Sequence, residues 1–331
     1  MMKKVLKAAG SAWGQRITIL ALICIFMALT QPVFFRPTNI RNIIFAISVT
    51  GIMSCGMLFT VLVGGLDLSV GSMAGMSASI TFLVANTYGF TDASFLFGCF
   101  VALAVSFIVG WINGFFVTIF GIPAFVVTLA MRYVLYGSVF VILGGVYIYA
   151  PTSGLVSVVG YSNFFNIPVP VIFFVVIVIV CAIVLGKMTY GRNLYAIGGN
   201  KRVANLAGIN SASATRSAFV ISSLLAGLAG ILLAAINGQA EPRTGGGYEA
   251  NVLLAMIVGG INLAGGEGGI PGAVFGALLV GIINNAMLLL SISSEYQTLV
   301  QGIIIVLAML LNSFARRGST GELRIRAGKV S

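Results

Sequence analysis

The chain has 331 residues, of which 59% are hydrophobic and 8% charged, where a soluble globular chain carries roughly a quarter charged residues. Eighteen Lys and Arg with seven Asp and Glu cannot cover a water-soluble surface of this size, and so rich an apolar content excludes disorder. The net charge of +11 lacks the basic, aromatic-interleaved face that nucleic acid requires. A bilayer is the solvent that tolerates such a chain, with the basic excess placed by the positive-inside rule.

No histidine is present, which removes zincin sites and Ser-His-Asp triads. Cys24, Cys55, Cys99 and Cys181 each fall in a separate apolar run with no CxxC pair, and read as buried free thiols.

Ten apolar runs are candidates to cross about 30 Å of hydrocarbon at 1.5 Å per residue. In chain order they are Ile17 to Phe35, Ile43 to Val63, Val70 to Ala85, Phe95 to Phe120, Ala124 to Val146, Val169 to Leu185, Ala218 to Ile236, Val252 to Ala264, Ile270 to Ile292 and Leu299 to Phe314. The third, eighth and tenth are short and imply broken or oblique helices. The basic start Met1-Met2-Lys3-Lys4 is followed by no small-residue cleavage site, so the first run is expected to remain as a helix.

With a cytoplasmic N-terminus, ten crossings place 14 of the 18 basic residues inside. Arg36, Arg41 and Arg243 fall outside, and Arg132 lies within the fifth run. The expected fold is an all-α polytopic membrane protein of about ten transmembrane helices with both termini cytoplasmic. Residues 1–331 form one transmembrane domain, with a cytoplasmic loop at 186–217 and a cytoplasmic tail at 315–331. Within the loop, Gly198-Gly199-Asn200 reads as a turn or helix start, and Lys201 to Ala207 as a short helix ended by Gly208. An ordinary solvated loop has the same composition. Gly144 to Pro168 forms a second long loop, expected outside.

Val109-Gly110-Trp111-Ile112-Asn113-Gly114 echoes Val280-Gly281-Ile282-Ile283-Asn284-Asn285, in spans that run in opposite directions, as an inverted repeat requires. Val63 to Leu68 also echoes Val258 to Leu263, which implies a parallel repeat instead. The inverted repeat is the expectation.

Polar groups at membrane depth are costly and need a reason to be there. Asp67, between the second and third runs, suits either a cap on a helix break or a contact with solute. Arg132 suits either snorkelling to the interface or an internal ion pair. Asn113, Asn284 and Asn285 suit cross-helix amide bonds, or a lining for a hydroxyl-rich solute path. Glu241, Arg243 and Glu249 cluster in the outer loop after the seventh run, and Glu267 lies on the inner side; surface charge is the plain reading of all four. No Gly-x4-Gly-Lys-Ser/Thr phosphate loop occurs, so an ATP-driven role needs a partner.

Three segments resemble the permease subunits of bacterial carbohydrate ABC importers of the ribose, galactose, xylose and arabinose type. They are Gly64-Gly65-Leu66-Asp67-Leu68-Ser69-Val70-Gly71, then Gly191 to Asn200 with Ala207-Gly208-Ile209, and Tyr248-Glu249 followed by Val258-Gly259-Gly260 and Leu263-Ala264-Gly265-Gly266. Ala250 and Glu267 depart from the family's usual residues. The resemblance implies a multi-pass protein of the bacterial inner membrane, with no catalytic residue and no cofactor of its own, ATP and magnesium lying on a partner. It implies a second permease copy or paralogue, two cytoplasmic ABC ATPase subunits, and a periplasmic or lipid-anchored sugar-binding protein. It makes Gly198, Gly199, Asn200, Lys201, Arg202, Ala207 and Gly208 the ATPase coupling element. Asp67, Asn113, Asn284 and Asn285 are then candidates for the solute pathway, and Glu241, Arg243 and Glu249 for contact with the binding protein. An ion-coupled secondary transporter is the alternative, although such proteins keep more ionisable residues on their path.

Overall fold

A computed structural model describes residues 12–151, 154–293 and 295–307. Each apolar run, as far as it is described, is helical over most or part of its length. The elements are α1 (Ala12–Thr30), α2 (Pro37–Leu62), α3 (Val70–Thr87), α4 (Asp92–Ile119), α5 (Ala124–Leu143), β1 (Ile148–Tyr149), α6 (Gly154–Tyr161), β2 (Asn163–Phe164), β3 (Ile167–Pro168), α7 (Val169–Lys187), α8 (Thr189–Gly199), α9 (Lys201–Leu206), α10 (Ser211–Asn237), β4 (Gln239–Ala240), α11 (Tyr248–Val258), α12 (Ile270–Leu289) and α13 (Glu295–Leu307). Among the described residues six helices, α2, α4, α5, α7, α10 and α12, are long and apolar enough to cross a membrane.

Local chemistry sets the boundaries. Pro37 opens α2 at its first turn, where its missing N–H costs nothing. The Thr91 side chain accepts from the Ser94 N–H at 3.1 Å at the start of α4, and Asn210 does the same for Ser213 at 3.0 Å at the start of α10. Helices α5 and α10 both stop at a left-handed glycine, Gly144 and Gly238. The eighth apolar run is helical only to Val258, because Gly260 turns the chain at φ +73° and the rest of the run becomes a turn.

Helix α10 is the centre, flanked by α2, α3 and α4. Helix α12 packs on α2 and α11, α5 lies against α3, and α7 lies against α2. Close approach at the centre depends on absent side chains: a Cβ on Gly230 of α10 would overlap the Ala74 carbonyl of α3. A Cβ on Gly110 of α4 would lie 2.7 Å from the Phe219 carbonyl oxygen. Cys55 and Cys181 are buried, Cys24 and Cys99 half-buried, and all four are free.

The connections gather at two ends. At one end the 259–269 turn meets the C-terminus of α2 and the α8–α9 corner, where the Gly266 N–H donates to the Leu62 carbonyl at 3.0 Å and the Tyr195 hydroxyl to the Gly268 carbonyl at 2.9 Å. At the other end β1 pairs antiparallel with β4, Ile148 opposite Ala240. There the Leu155 N–H donates to the Asp92 carboxylate at 2.7 Å, and Arg41 donates to the Tyr161 carbonyl at 2.6 Å.

Gly230→Val should force α3 away from α10, an overpacking cost of about 1–3 kcal/mol. The expected result is a thermal midpoint several degrees lower, read by heating followed by size-exclusion chromatography in detergent.

Candidate transport site and coupling surface

The break between α2 and α3 is built on Asp67. Its carboxylate is fully buried. One oxygen accepts from the Ser69 N–H at 3.0 Å and the Ser69 hydroxyl at 2.5 Å, and the other accepts from the Ser222 hydroxyl of α10 at 2.8 Å. Asn113 of α4, also fully buried, donates its amide to the Ser69 hydroxyl at 3.2 Å. Thr128 of α5 closes the turn by accepting from the Leu68 N–H at 3.1 Å and donating to the Leu66 carbonyl at 2.9 Å. The cluster thus satisfies the backbone that the helix break frees, as a non-helical segment at membrane depth requires. Its acceptors are also placed at the start of α3, where the helix dipole favours negative charge. Ser222 and Thr128 were not legible as members, because a lone hydroxyl in an apolar run carries no spacing signal.

The other candidate asparagines go to different places. Asn285 exchanges two hydrogen bonds with Asn39, at 2.8 and 3.0 Å, joining α12 to α2. Half-buried Asn284 donates to Asn251 of α11 at 3.0 Å and accepts from Gln301 of α13 at 3.1 Å. Neither asparagine joins the Asp67 cluster.

Glu249 and Arg132 form an ion pair at 2.5 Å, with the acid 8% and the guanidinium 38% exposed. Glu249 stands in the first turn of α11, and its other carboxylate oxygen lies against Gly71 of α3, where a Cβ would strike it. Glu249 is therefore buried, whereas Glu241 is half-exposed and Arg243 exposed on the turn before α11. The Tyr147 hydroxyl hydrogen-bonds to the Glu241 carboxylate, and that bond first, with the carboxylate's negative charge second, raises the phenol above its ordinary pKa.

At the opposite end, the Asn200 side chain caps α9 by accepting from the Arg202 and Val203 N–H groups at 3.0 and 3.1 Å. Gly208 follows the helix at φ +82°. A Cβ on Gly198 would overlap the Leu62 carbonyl and the Gly266 N–H, whereas Gly199 has open space around it. Lys201, Arg202, Ala207 and Gly208 are exposed. Val203 at 59% and Leu206 at 83% exposure add an apolar face beside the two cations.

Long apolar helices, a helix break held by a buried carboxylate, and an ion pair between two helices define the class as a polytopic membrane protein. Residues 39–309 match the family model described as branched-chain amino acid transport system / permease component, and the chain belongs to that permease family. It is a multi-pass inner-membrane protein. It is 34% identical over 310 residues to the L-arabinose transport system permease protein of Escherichia coli strain K12, covering 93% of each chain. It is 33% identical over 298 residues to the ribose import permease protein of Bacillus subtilis strain 168, covering 88% of this chain and 90% of that one. The D-allose transport system permease protein of Escherichia coli strain K12 is 34% identical over 311 residues, 91% of each chain. No solved structure matches the chain.

Asp67→Asn keeps an acceptor for Ser69 and a donor for Ser222, so the variant should express and retain most transport. Asp67→Leu strands the Ser69 N–H and both hydroxyls, at about 1–3 kcal/mol for each unsatisfied buried group, and should be lost to aggregation in detergent chromatography. Full expression with transport abolished would instead mark Asp67 as a solute contact.

Proposed function

We propose that the chain is the membrane subunit of an ATP-driven importer that carries a monosaccharide inward. The observation that carries this reading is the set of arabinose, ribose and allose permeases, each aligned along about nine tenths of the chain. The subunit works beside a second copy or a paralogue. Two cytoplasmic ATPases hold the nucleotide and its magnesium, and a periplasmic or lipid-anchored binding protein delivers the sugar.

The basic and apolar surface of α9 supports its role as the part of the 186–217 segment that docks on an ATPase. Gly198 fixes α8 and α9 rigidly against the ends of α2 and the 259–269 turn, so a push on α9 would reach the spans directly. On the opposite end, the exposure of Arg243 and the half-exposure of Glu241 support their contact with the binding protein, while Glu249 is buried.

Ten crossings with cytoplasmic termini are supported by the sorting of contacts to two ends. Arg16 of α1 packs against Gly260 at the α8–α9 end, and Arg41 lies at the other. The tail at 315–331 lies outside the described residues. An inverted repeat of α2 to α5 on α10 to α13 is supported by reciprocal packing: α4 lies along α10 as α12 lies along α2. Gly110 meets Phe219 and Val220 of α10, and its counterpart Gly281 meets Ile47 of α2.

Reconstituted with its ATPase and binding protein, the chain should accumulate sugar after the proton gradient is collapsed and stop when ATP is depleted. The reverse dependence would assign it to ion-coupled secondary transport. Leu206→Asp should cut sugar-stimulated ATP hydrolysis by about tenfold or more, because docking would bury an unpaired carboxylate in place of an apolar side chain. Unchanged stimulation would remove α9 from the coupling surface.

A further inference from the structure

Helices α5 and α7 bury the smallest shares of the six long helices, yet their exposed faces differ in chemistry. The exposed residues of α7 include Val175, Val176, Ile179, Val180 and Ile183, side chains that hydrocarbon solvates without penalty. On α5 the midpoint carries Arg132, Tyr133 and Tyr136, with the two tyrosines 67% and 42% exposed. Helix α5 is 20 residues long, about 30 Å, which matches the hydrocarbon thickness. Arg132 is therefore about 12 Å from the nearer end, at a depth where a charge exposed to lipid costs several kcal/mol. Its guanidinium does not reach for either interface, because it is tied to Glu249.

Only one partner is available to it among the described residues. A guanidinium has five N–H donors, and the Glu249 carboxylate, wedged against Gly71, takes one edge. The guanidinium is otherwise 38% exposed, and Tyr136 follows it one helical turn along the same face. A charge part-exposed at the centre of a spanning helix, with one protein partner and a phenol one turn along the same face, requires water at that face.

We infer that Arg132 and Tyr136, with Glu249 behind them balancing the charge, form a solute-contact site on the aqueous route through the membrane, taking adjacent hydroxyls of a neutral polyol. The inference rests on the permease reading above. The buried Glu249 neutralises the guanidinium, so the site presents Arg132 donors with no net charge, and the Tyr136 hydroxyl beside them supplies both a donor and an acceptor. That suits hydroxyl groups, each of which is donor and acceptor at once, and the apolar carbons of a sugar ring can lie on a tyrosine face. A zwitterionic solute would have to split the pair to be held.

The test uses the assembled complex in proteoliposomes. Tyr136→Cys should react with a membrane-impermeant, charged methanethiosulfonate at least ten times faster than Val180→Cys on α7, above the background of the native cysteines. Equal rates would place the α5 face in lipid and overturn the inference. With D-ribose, L-arabinose and D-allose as probes, Arg132→Gln should raise the KM for uptake about tenfold, since a hydrogen bond from a charged group is lost, while the complex still assembles. An unchanged KM in an assembled complex would overturn solute contact and leave Arg132 a latch between α5 and α11. If Arg132→Gln fails to assemble, or none of the three sugars is carried, the labelling comparison decides alone. Labelling needs neither ATP nor sugar, so the energy-coupling reading can fail while this site stands, and the reverse.

Discussion

Helix α10 can occupy the centre of the molecule only because its neighbours reach it backbone to backbone. Where Gly230 faces Ala74 and Gly110 faces Phe219, no side chain intervenes. In a bilayer this closeness is the source of cohesion: lipid tails are as apolar as the side chains, so expulsion from water adds nothing and association rests on packing and hydrogen bonds. Asp67 adds the second element, since Ser222 ties the α2–α3 break directly onto α10. One helix therefore holds both a long spanning segment and a discontinuous one in fixed relation.

That arrangement separates two kinds of polar group. Asp67, Ser69 and Asn113 are buried and turned on one another, and Thr128 bonds the turn's backbone, which lets a non-helical turn exist at depth without exposing backbone to lipid. The Asn39–Asn285 pair and the Asn251–Asn284–Gln301 chain bond neighbouring helices in the same way. Arg132 is of the second kind: it is held at one edge and open at the other. Rigid clusters of the first kind keep the half-helices in place, so that a group of the second kind can be presented at a defined position.

Much of this was written in local sequence. Apolar runs located the helices, because a segment that must cross hydrocarbon shows its length in composition alone. The short eighth run became the 11-residue α11, whereas the third became α3, an unbroken helix of 18 residues. Asn200 and Gly208 bounded α9, since capping and left-handed turns use a few residue types at fixed offsets. Asp67 was visible because a lone acid among glycines at membrane depth has few structural excuses. The partners were another matter. Ser222 lies 155 residues from Asp67, and Asn285 lies 246 residues from Asn39; no periodicity carries such information. Glu249, grouped by sequence with the outer charges Glu241 and Arg243, proved buried because α11 begins below the turn and points its first residues at α3.

Composition at the outset excluded water as the solvent of this protein, and 8% charge left each ionised group in the spans to be accounted for one by one. By itself the sequence determined the membrane class, the helices with their breaks and caps, and the family resemblance, all of which are local or compositional. Only the tertiary structure decided which polar groups are spent on one another and which stay open. Snorkelling was a sufficient account of Arg132 in the sequence, and its pairing with Glu249 depends on how α5 and α11 are brought together. That geometry is fixed by packing against α3, a long-range contact with no signature in either segment.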